Sequence, residues 1–242
     1  MIVEKNYKVG VKDIGTSNSI TNKGFLNMLE ELACIHSDLA GYGINQIPQT
    51  HISWILLNWK VSIFERPNYN SEIYIKTWSR KGNKFFTFRD FEIYDENKKL
   101  IGIASSKWSI VNVETNKLIS ITDDIINCYK PEEKSIFNET DIEKLKVPTS
   151  LPEFPNYTFQ VQRRDIDINS HMHNLYYLDY AYETLPENIY NDIEFNNFEI
   201  MYKLGAKLGN VINCFYCSEE NGDFVIMKNK ESNKLNAIIK FY

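Results

Sequence analysis

Apolar side chains recur at helical spacing twice along this chain, and each time a run of strand-like stretches follows. Between residues 23 and 39, Phe25, Met28, Leu29, Leu32, Ile35, His36 and Leu39 fall at i, i+3 and i+4 and make one apolar face. Gly41 and Gly43 end this predicted helix. Residues 51–64, 72–78, 84–94 and 99–113 then read as strands, and turns are predicted at 66–68, 80–83 and 95–98. The stretch 130–155 changes character. It is charged, holds Pro131, Pro148, Pro152 and Pro155, and reads as a connector with a short helix at 141–146. Beyond it the plan restarts: a strand at 157–163, a polar loop at 164–170, and a helix at 173–185 with Leu175, Leu178, Tyr182 and Leu185 on one face. Strands are predicted again at 195–204, 210–217, 223–227 and 234–242.

A long helix followed by consecutive antiparallel strands is an α+β pattern. Its repetition at about half the chain length points to a duplicated domain rather than a solenoid, whose repeats are about 20–50 residues. The domains predicted are 1–130 and 156–242, with a linker at 131–155.

Composition narrows the function. With 242 residues, 43% of them hydrophobic and 24% charged, the chain can bury a core in each half. The formal net charge of -5 excludes a globally basic nucleic-acid binder. No stretch approaches the roughly 20 apolar residues that cross a bilayer, so no membrane partner is expected. Residues 1–12 are mixed and charged, which suggests no export signal. Four cysteines make no disulfide framework. Cys214 and Cys217 lie in an alternating run, where positions three apart face opposite sides, so buried or half-buried thiols are expected rather than a zinc or redox pair. The expected compartment is the reducing cytoplasm.

The densest polar cluster runs from Arg163 to Asn174, between a strand and a helix. An extended chain through Asp167, Asn169 and His171 would set a carboxylate, an amide and an imidazole on one side at period two. They would meet the positive end of the helix, whose N–H groups can hold a developing oxyanion. An imidazole serves as acid or base near neutral pH. The same residue types are also ordinary turn formers and helix caps. Trp54, Trp59, Trp78 and Trp108 suit a sheet core as well as a ligand wall, and Arg163-Arg164 suits plain solvation.

The run DIDINSHMHNLYYLDYAYETLP resembles the signature D-x-N-x-H-x-N-N of acyl-acyl-carrier-protein thioesterases, with Asp167, Asn169, His171 and Asn174 matching and His173 where an Asn is usual. The stretches ERPNYNSEIYIKTW, FRDFEIYDENKKLIG and ASSKWSIVNVETNKL, and the helix ending in GYG, also resemble that family's N-terminal half. The resemblance implies a tandem, double hotdog fold, each hotdog a long helix wrapped by an antiparallel sheet. It implies hydrolysis of a fatty acyl thioester on acyl carrier protein, with Asp167, Asn169 and His171 catalytic and no metal or organic cofactor. Asn174, Trp54 and Trp59 would contact substrate, the acyl chain lying largely in the N-terminal hotdog. The acidic carrier would dock on Arg163, Arg164, Lys203 and Lys207, unless these are scattered solubilising charge. GTSNSITNKG at the first helix start has no such motif, so one active site per chain is implied. A monomer or a homodimer fits equally. Downstream, Gly205 stands where the family carries an acid and Ala206 where it carries Cys. Two further readings therefore stay open: a protein that only binds acyl chains or acyl carrier protein, and an acyl-CoA thioesterase.

Overall fold

The computed structural model describes residues 1–139, 141–192 and 195–242. It divides into two compact units, Met1–Ile142 and Glu143–Tyr242.

The first unit opens with β1 (Ile2–Lys8) and a 3-10 turn (Val11–Asp13), followed by the long α1 (Asn22–Leu39). A short α2 (Ile47–Thr50) leads into β2 (Ile52–Ile63), β3 (Glu72–Asn83), β4 (Phe86–Asp95), β5 (Leu100–Asn112), β6 (Lys117–Ile119) and α3 (Asp123–Cys128). Its strands pair antiparallel in the order β1-β3-β4-β5-β2, with β6 added on β5. The Thr21 hydroxyl caps α1 by accepting the Gly24 N–H at 3.0 Å. At the other end Gly41 takes the left-handed φ of 80°. The Tyr42 N–H then reaches back to Ser37 O at 2.9 Å, and the Gly41 N–H to Asp38 O at 3.1 Å, closing a Schellman motif. The apolar face of α1 is buried through Phe25, Leu26, Met28, Leu29, Leu32 and Ala33. Each of these Phe, Leu and Met side chains contributes about 1.5–3 kcal/mol.

The second unit repeats the plan. β7 (Tyr157–Gln160) and a 3-10 turn (Arg163–Asp165) precede α4 (Asn174–Thr184) and α5 (Glu187–Asp192). The sheet follows, with β8 (Asn197–Tyr202), β9 (Val211–Glu219), β10 (Gly222–Asn229) and β11 (Leu235–Phe241). The order is β8-β11-β10-β9-β7, antiparallel throughout. Met201, Cys217, Phe224, Ile226 and Ile238 form one of its core clusters. No helix among the described residues is long and apolar enough to cross a membrane. Cys214 and Cys217 are both buried, and burial pushes the Cys214 thiol up to about 12.

Three local expectations change. β1 forms within the charged stretch 1–12; among the described residues it is an edge strand paired with β3 alone, so its exposed charges guard an open edge. The turn expected at 80–83 moves three residues on, to 83–86, because Asn83 Oδ1 accepts the N–H groups of Phe85 and Phe86 at 2.8 and 3.2 Å and closes the hairpin there. No helix forms at 141–146: Asp141 is drawn to Lys107 at 2.7 Å, and Leu145 packs on the Met201 cluster.

The first unit buries an unusual polar pair. Arg89 Nη1 lies 2.6 Å from His36 Nδ1, and both residues are buried. A guanidinium only donates, so Nδ1 accepts and the imidazole is neutral. Burial, aided by the Arg89 charge, depresses the His36 pKa to about 3. Between about pH 6.5 and 3 the unfolded chain therefore takes up a proton that the folded chain refuses. Stability from this residue is whole above that window and falls as pH drops through it, with a slope approaching about 1.4 kcal/mol per pH unit. Urea unfolding at pH 7 and pH 5 should show a larger loss for the wild type than for His36→Asn, which keeps an acceptor for Arg89 but does not titrate.

Candidate active site

The polar loop between β7 and α4 is built on two carboxylates. Asp165 is 1% exposed, and its Oδ2 accepts the Gln162 N–H at 2.8 Å and the Tyr180 hydroxyl at 3.0 Å. It thereby fixes the loop to both the preceding turn and α4. Burial and this bond push the Tyr180 phenol up to about 12. Beyond it, Ile166 bridges Met172, and residues 167–171 form a tight turn. The Asp167 N–H donates to His171 O at 2.8 Å, the Ser170 N–H donates to Asp167 O at 3.1 Å, and Ser170 takes a left-handed φ of 60°. Asp167 Oδ1 accepts the N–H groups of Asn169 and His171 at 2.8 and 3.2 Å.

The chain through Asp167, Asn169 and His171 is therefore not extended. An aspartate side chain competes for nearby backbone amides, and here it wins. The turn gathers the three residues by a different route, through one carboxylate bonded to the backbone of the other two. Asn169 is exposed, while Asp167 and His171 are half-buried. α4 then starts with His173 as N-cap, its Nδ1 accepting the Leu175 N–H at 3.3 Å. The first turn of α4 carries no acidic residue, so no side-chain charge there opposes the positive end of the helix.

One wall of the site is the segment after β8. A Cβ built on Gly205 would lie 2.7 Å from His171 Cδ2, so the imidazole ring rests directly on this glycine. Ala206, fully buried, donates its N–H to the Tyr177 hydroxyl at 3.0 Å and accepts from the Met172 N–H at 2.8 Å. Burial pushes the Tyr177 phenol up to about 12, against the Ala206 bond and with the Asp167 charge adding to the rise. Tyr177 is therefore a neutral strut at ordinary pH.

The first unit contains the same frame without this chemistry. Asp13 Oδ2 accepts the Gly10 N–H at 2.9 Å, as Asp165 does for Gln162. Ile14 bridges Ile20, the Gly15 N–H donates to Ser19 O at 3.1 Å, and Asn18 takes φ 60°, as Ser170 does. The Ile20 N–H donates to Pro67 O at 2.9 Å, as Met172 does to Ala206. Asn70 and Gly209 are both left-handed and donate to Val9 O and Val161 O at 2.9 and 3.0 Å. In this register Gly15, Ser17 and Ser19 stand for Asp167, Asn169 and His171, Thr21 for His173, and Arg66 for Gly205.

Arg163, Arg164, Lys203 and Lys207 are all exposed, and the lysines bracket the glycine under His171. Asn174 is the first residue of α4, and its carbonyl accepts the Tyr202 hydroxyl at 3.1 Å. Trp54 and Trp59 lie on β2: Trp59 is fully buried 5.5 Å from the Phe91 ring, and Trp54 is half-buried, edge-on to Tyr129 at 5.6 Å. Among the described residues no group of three or more His, Cys, Asp or Glu is placed to hold a metal ion. The motif spacing does not reach Asp165, Tyr177 or the Gly205 contact. Asp165 had a signal, since Asp13 precedes its helix cap, Thr21, by the same interval as Asp165 precedes His173.

Residues 1–129 match the acyl-ACP thioesterase N-terminal domain, and residues 150–241 match the acyl-ACP thioesterase C-terminal domain. The chain belongs to the acyl-ACP thioesterase family. Within this family it is 25% identical over 237 residues to oleoyl-acyl carrier protein thioesterase 2 of Arabidopsis thaliana, covering 92% of this chain and 63% of that protein. It is 22% identical over 213 residues to a palmitoyl-acyl carrier protein thioesterase of Cuphea hookeriana, covering 84% of this chain and 51% of that one. The chain thus spans less than two thirds of the length of these relatives. An acyl-ACP thioesterase of Bacteroides thetaiotaomicron superposes with a TM-score of 0.84 at 24% identity, covering 99% of this chain and 96% of that one. The 12:0-ACP thioesterase of Umbellularia californica superposes with a TM-score of 0.85 at 16% identity, covering 99% and 96%. The fold is the α+β tandem hotdog of this family.

The two carboxylates should separate in mutagenesis. Asp165→Ala takes away the acceptor of the Gln162 N–H and of the Tyr180 hydroxyl and should lower stability by about 1–3 kcal/mol in denaturant melts. Asp167→Ala removes acceptors at a half-exposed turn. It should cost little global stability while speeding amide hydrogen exchange at Asn169 and His171.

Proposed function

We propose that this chain hydrolyses the thioester between a fatty acyl group and the phosphopantetheine arm of acyl carrier protein, releasing free fatty acid and carrier. The observation that carries this reading is the Asp167-braced turn, which presents Asn169 and His171 beside the start of α4 in a chain of this family. In the assigned roles, Asn169 positions water or the thioester, and His171 takes the proton from water as its oxygen attacks the carbonyl carbon. Backbone N–H groups at the start of α4 steady the oxyanion. The C–S bond then breaks, and His171 returns the proton to the leaving thiolate. Asp167 holds the turn. No metal or organic cofactor enters this scheme.

Asn174 is assigned to the substrate, and Trp54 and Trp59 to the acyl chain. Arg163, Arg164, Lys203 and Lys207 are assigned to docking of the acidic carrier. Ile168, Leu204 and Leu208, which lie among these cations in sequence, are exposed as well. We place the protein in the cytoplasm, where its free cysteines remain reduced, as a monomer or homodimer.

A second reading draws support from Gly205 and Ala206, which supply neither an acid nor a nucleophile: binding of acyl-carrier substrate without turnover. A ladder of acyl-carrier thioesters decides between them, with the matching acyl-CoA thioesters at equal concentration as the third arm. Hydrolysis of the carrier substrates is expected, and Asn169→Ala and His171→Ala should each lower kcat by about 100-fold or more with unchanged melting behaviour. Tight binding without product favours the second reading, and faster turnover of acyl-CoA redirects the substrate. The Michaelis constant for the carrier substrate should rise with salt, because exposed charge pairs are screened over about 10 Å.

A further inference from the structure

We propose that Gly205 is a positioning residue for His171: the imidazole occupies the space that any side chain at position 205 would fill. This rests on the thioesterase reading for its consequence, but the contact itself is independent of it. The three heavy atoms nearest to a Cβ built on Gly205 are His171 Cδ2, Cγ and Cβ, at 2.7, 3.0 and 3.4 Å. Gly205 is exposed and does not use the left-handed backbone that favours glycine, so neither the core nor the local conformation asks for it.

The duplicated frame supplies the comparison. Pro67 O and Ala206 O accept the equivalent amides of Ile20 and Met172, which makes Arg66 the counterpart of Gly205. The first unit thus carries one of the longest side chains at this place. Arg66 extends along the helix start, its Nη1 donating to Ile20 O at 3.0 Å and its Nη2 to Asn22 Oδ1 at 2.7 Å. Opposite it, where the second unit has His171, the first has Ser19. The frame pairs a large residue with a small one in each copy, Arg66 with Ser19 and Gly205 with His171. Glycine is therefore what this imidazole needs, not what the turn needs.

The missing acid takes on a different meaning. A side chain at 205 and the observed ring position exclude each other, so Gly205→Glu does not simply add a carboxylate to an otherwise unchanged site. It moves the ring first.

A double-mutant cycle tests this. Gly205→Ala should lower kcat about tenfold or more when His171 is present, since displacing a reacting group by about 1 Å can cost about 100-fold. In the His171→Ala background the same change should alter the residual rate less than about twofold, because no ring remains to displace. Gly205→Glu should also lower kcat. Wild type and Gly205→Ala should give superimposable circular dichroism spectra. The His171 ring proton signal in NMR, assigned by its loss in His171→Ala, should shift in Gly205→Ala. Equal losses in both backgrounds, or full activity in Gly205→Ala with an unmoved His171 signal, would overturn the proposal. A wild type inactive on every thioester would sink the hydrolase reading alone, because the His171 signal still reports on the seat.

Discussion

A strand that turns into a helix leaves amide groups that neither element can pair, and in this protein a carboxylate takes them. Burying a carboxylate is costly unless its lone pairs are satisfied. Asp165 meets that condition with the Gln162 N–H and the Tyr180 hydroxyl, and it joins the loop to α4. With the loop root fixed, the short hairpin from Ile166 to Met172 has a defined direction, and Asp167 can spend one oxygen on two further amides. The backbone of Asn169 and His171 is held by these bonds, and the His171 ring then rests on Gly205. This is the usual division of labour in a built site: polar side chains are held by neighbours behind them.

The duplication separates what the fold requires from what the chemistry requires. Asp13 performs the task of Asp165 in a unit with no imidazole at its helix start, so that carboxylate belongs to the architecture. The left-handed residue in the turn, the bridge across its base and the carbonyl that receives Ile20 or Met172 are likewise common to both copies. The differences fall at few positions. Gly15, Ser17, Ser19 and Arg66 in one copy face Asp167, Asn169, His171 and Gly205 in the other.

Much of this was legible in the sequence, and the limits have physical causes. α1 and α4 were readable because one buried face imposes a period on their apolar residues. β1 was not, because an edge strand keeps one row of backbone groups open and carries charges there, which blurs the alternation. The motif residues were found by type and spacing, but their conformation was misread. Period two assumes that the backbone pairs with backbone, whereas Asp167 offers its own oxygen to the amides two and four residues on. Gly205 read as the loss of an acid. Its meaning lies in a contact with a loop from another part of the chain, which no local pattern encodes. The one sequence-level clue was the reciprocal size of residues in two copies of a frame whose register only the hydrogen bonds define.

That reciprocity also explains why the two helix starts differ in how firmly they are tied. In the first unit the Arg66 guanidinium binds Ile20 O and Asn22 Oδ1, and the Ser17 and Ser19 hydroxyls lie 2.7 Å apart. These are structural bonds across a place where nothing needs to enter. In the second unit glycine replaces the arginine, Asn169 and Ser170 are exposed, and the imidazole lies over bare backbone. Removing a side chain that would brace the helix start gives up stabilising contacts and leaves room for the imidazole on this backbone. Function taken at the expense of local stability is expected where a site has to stay open. Here the exchange is visible within one chain, between two copies of the same turn.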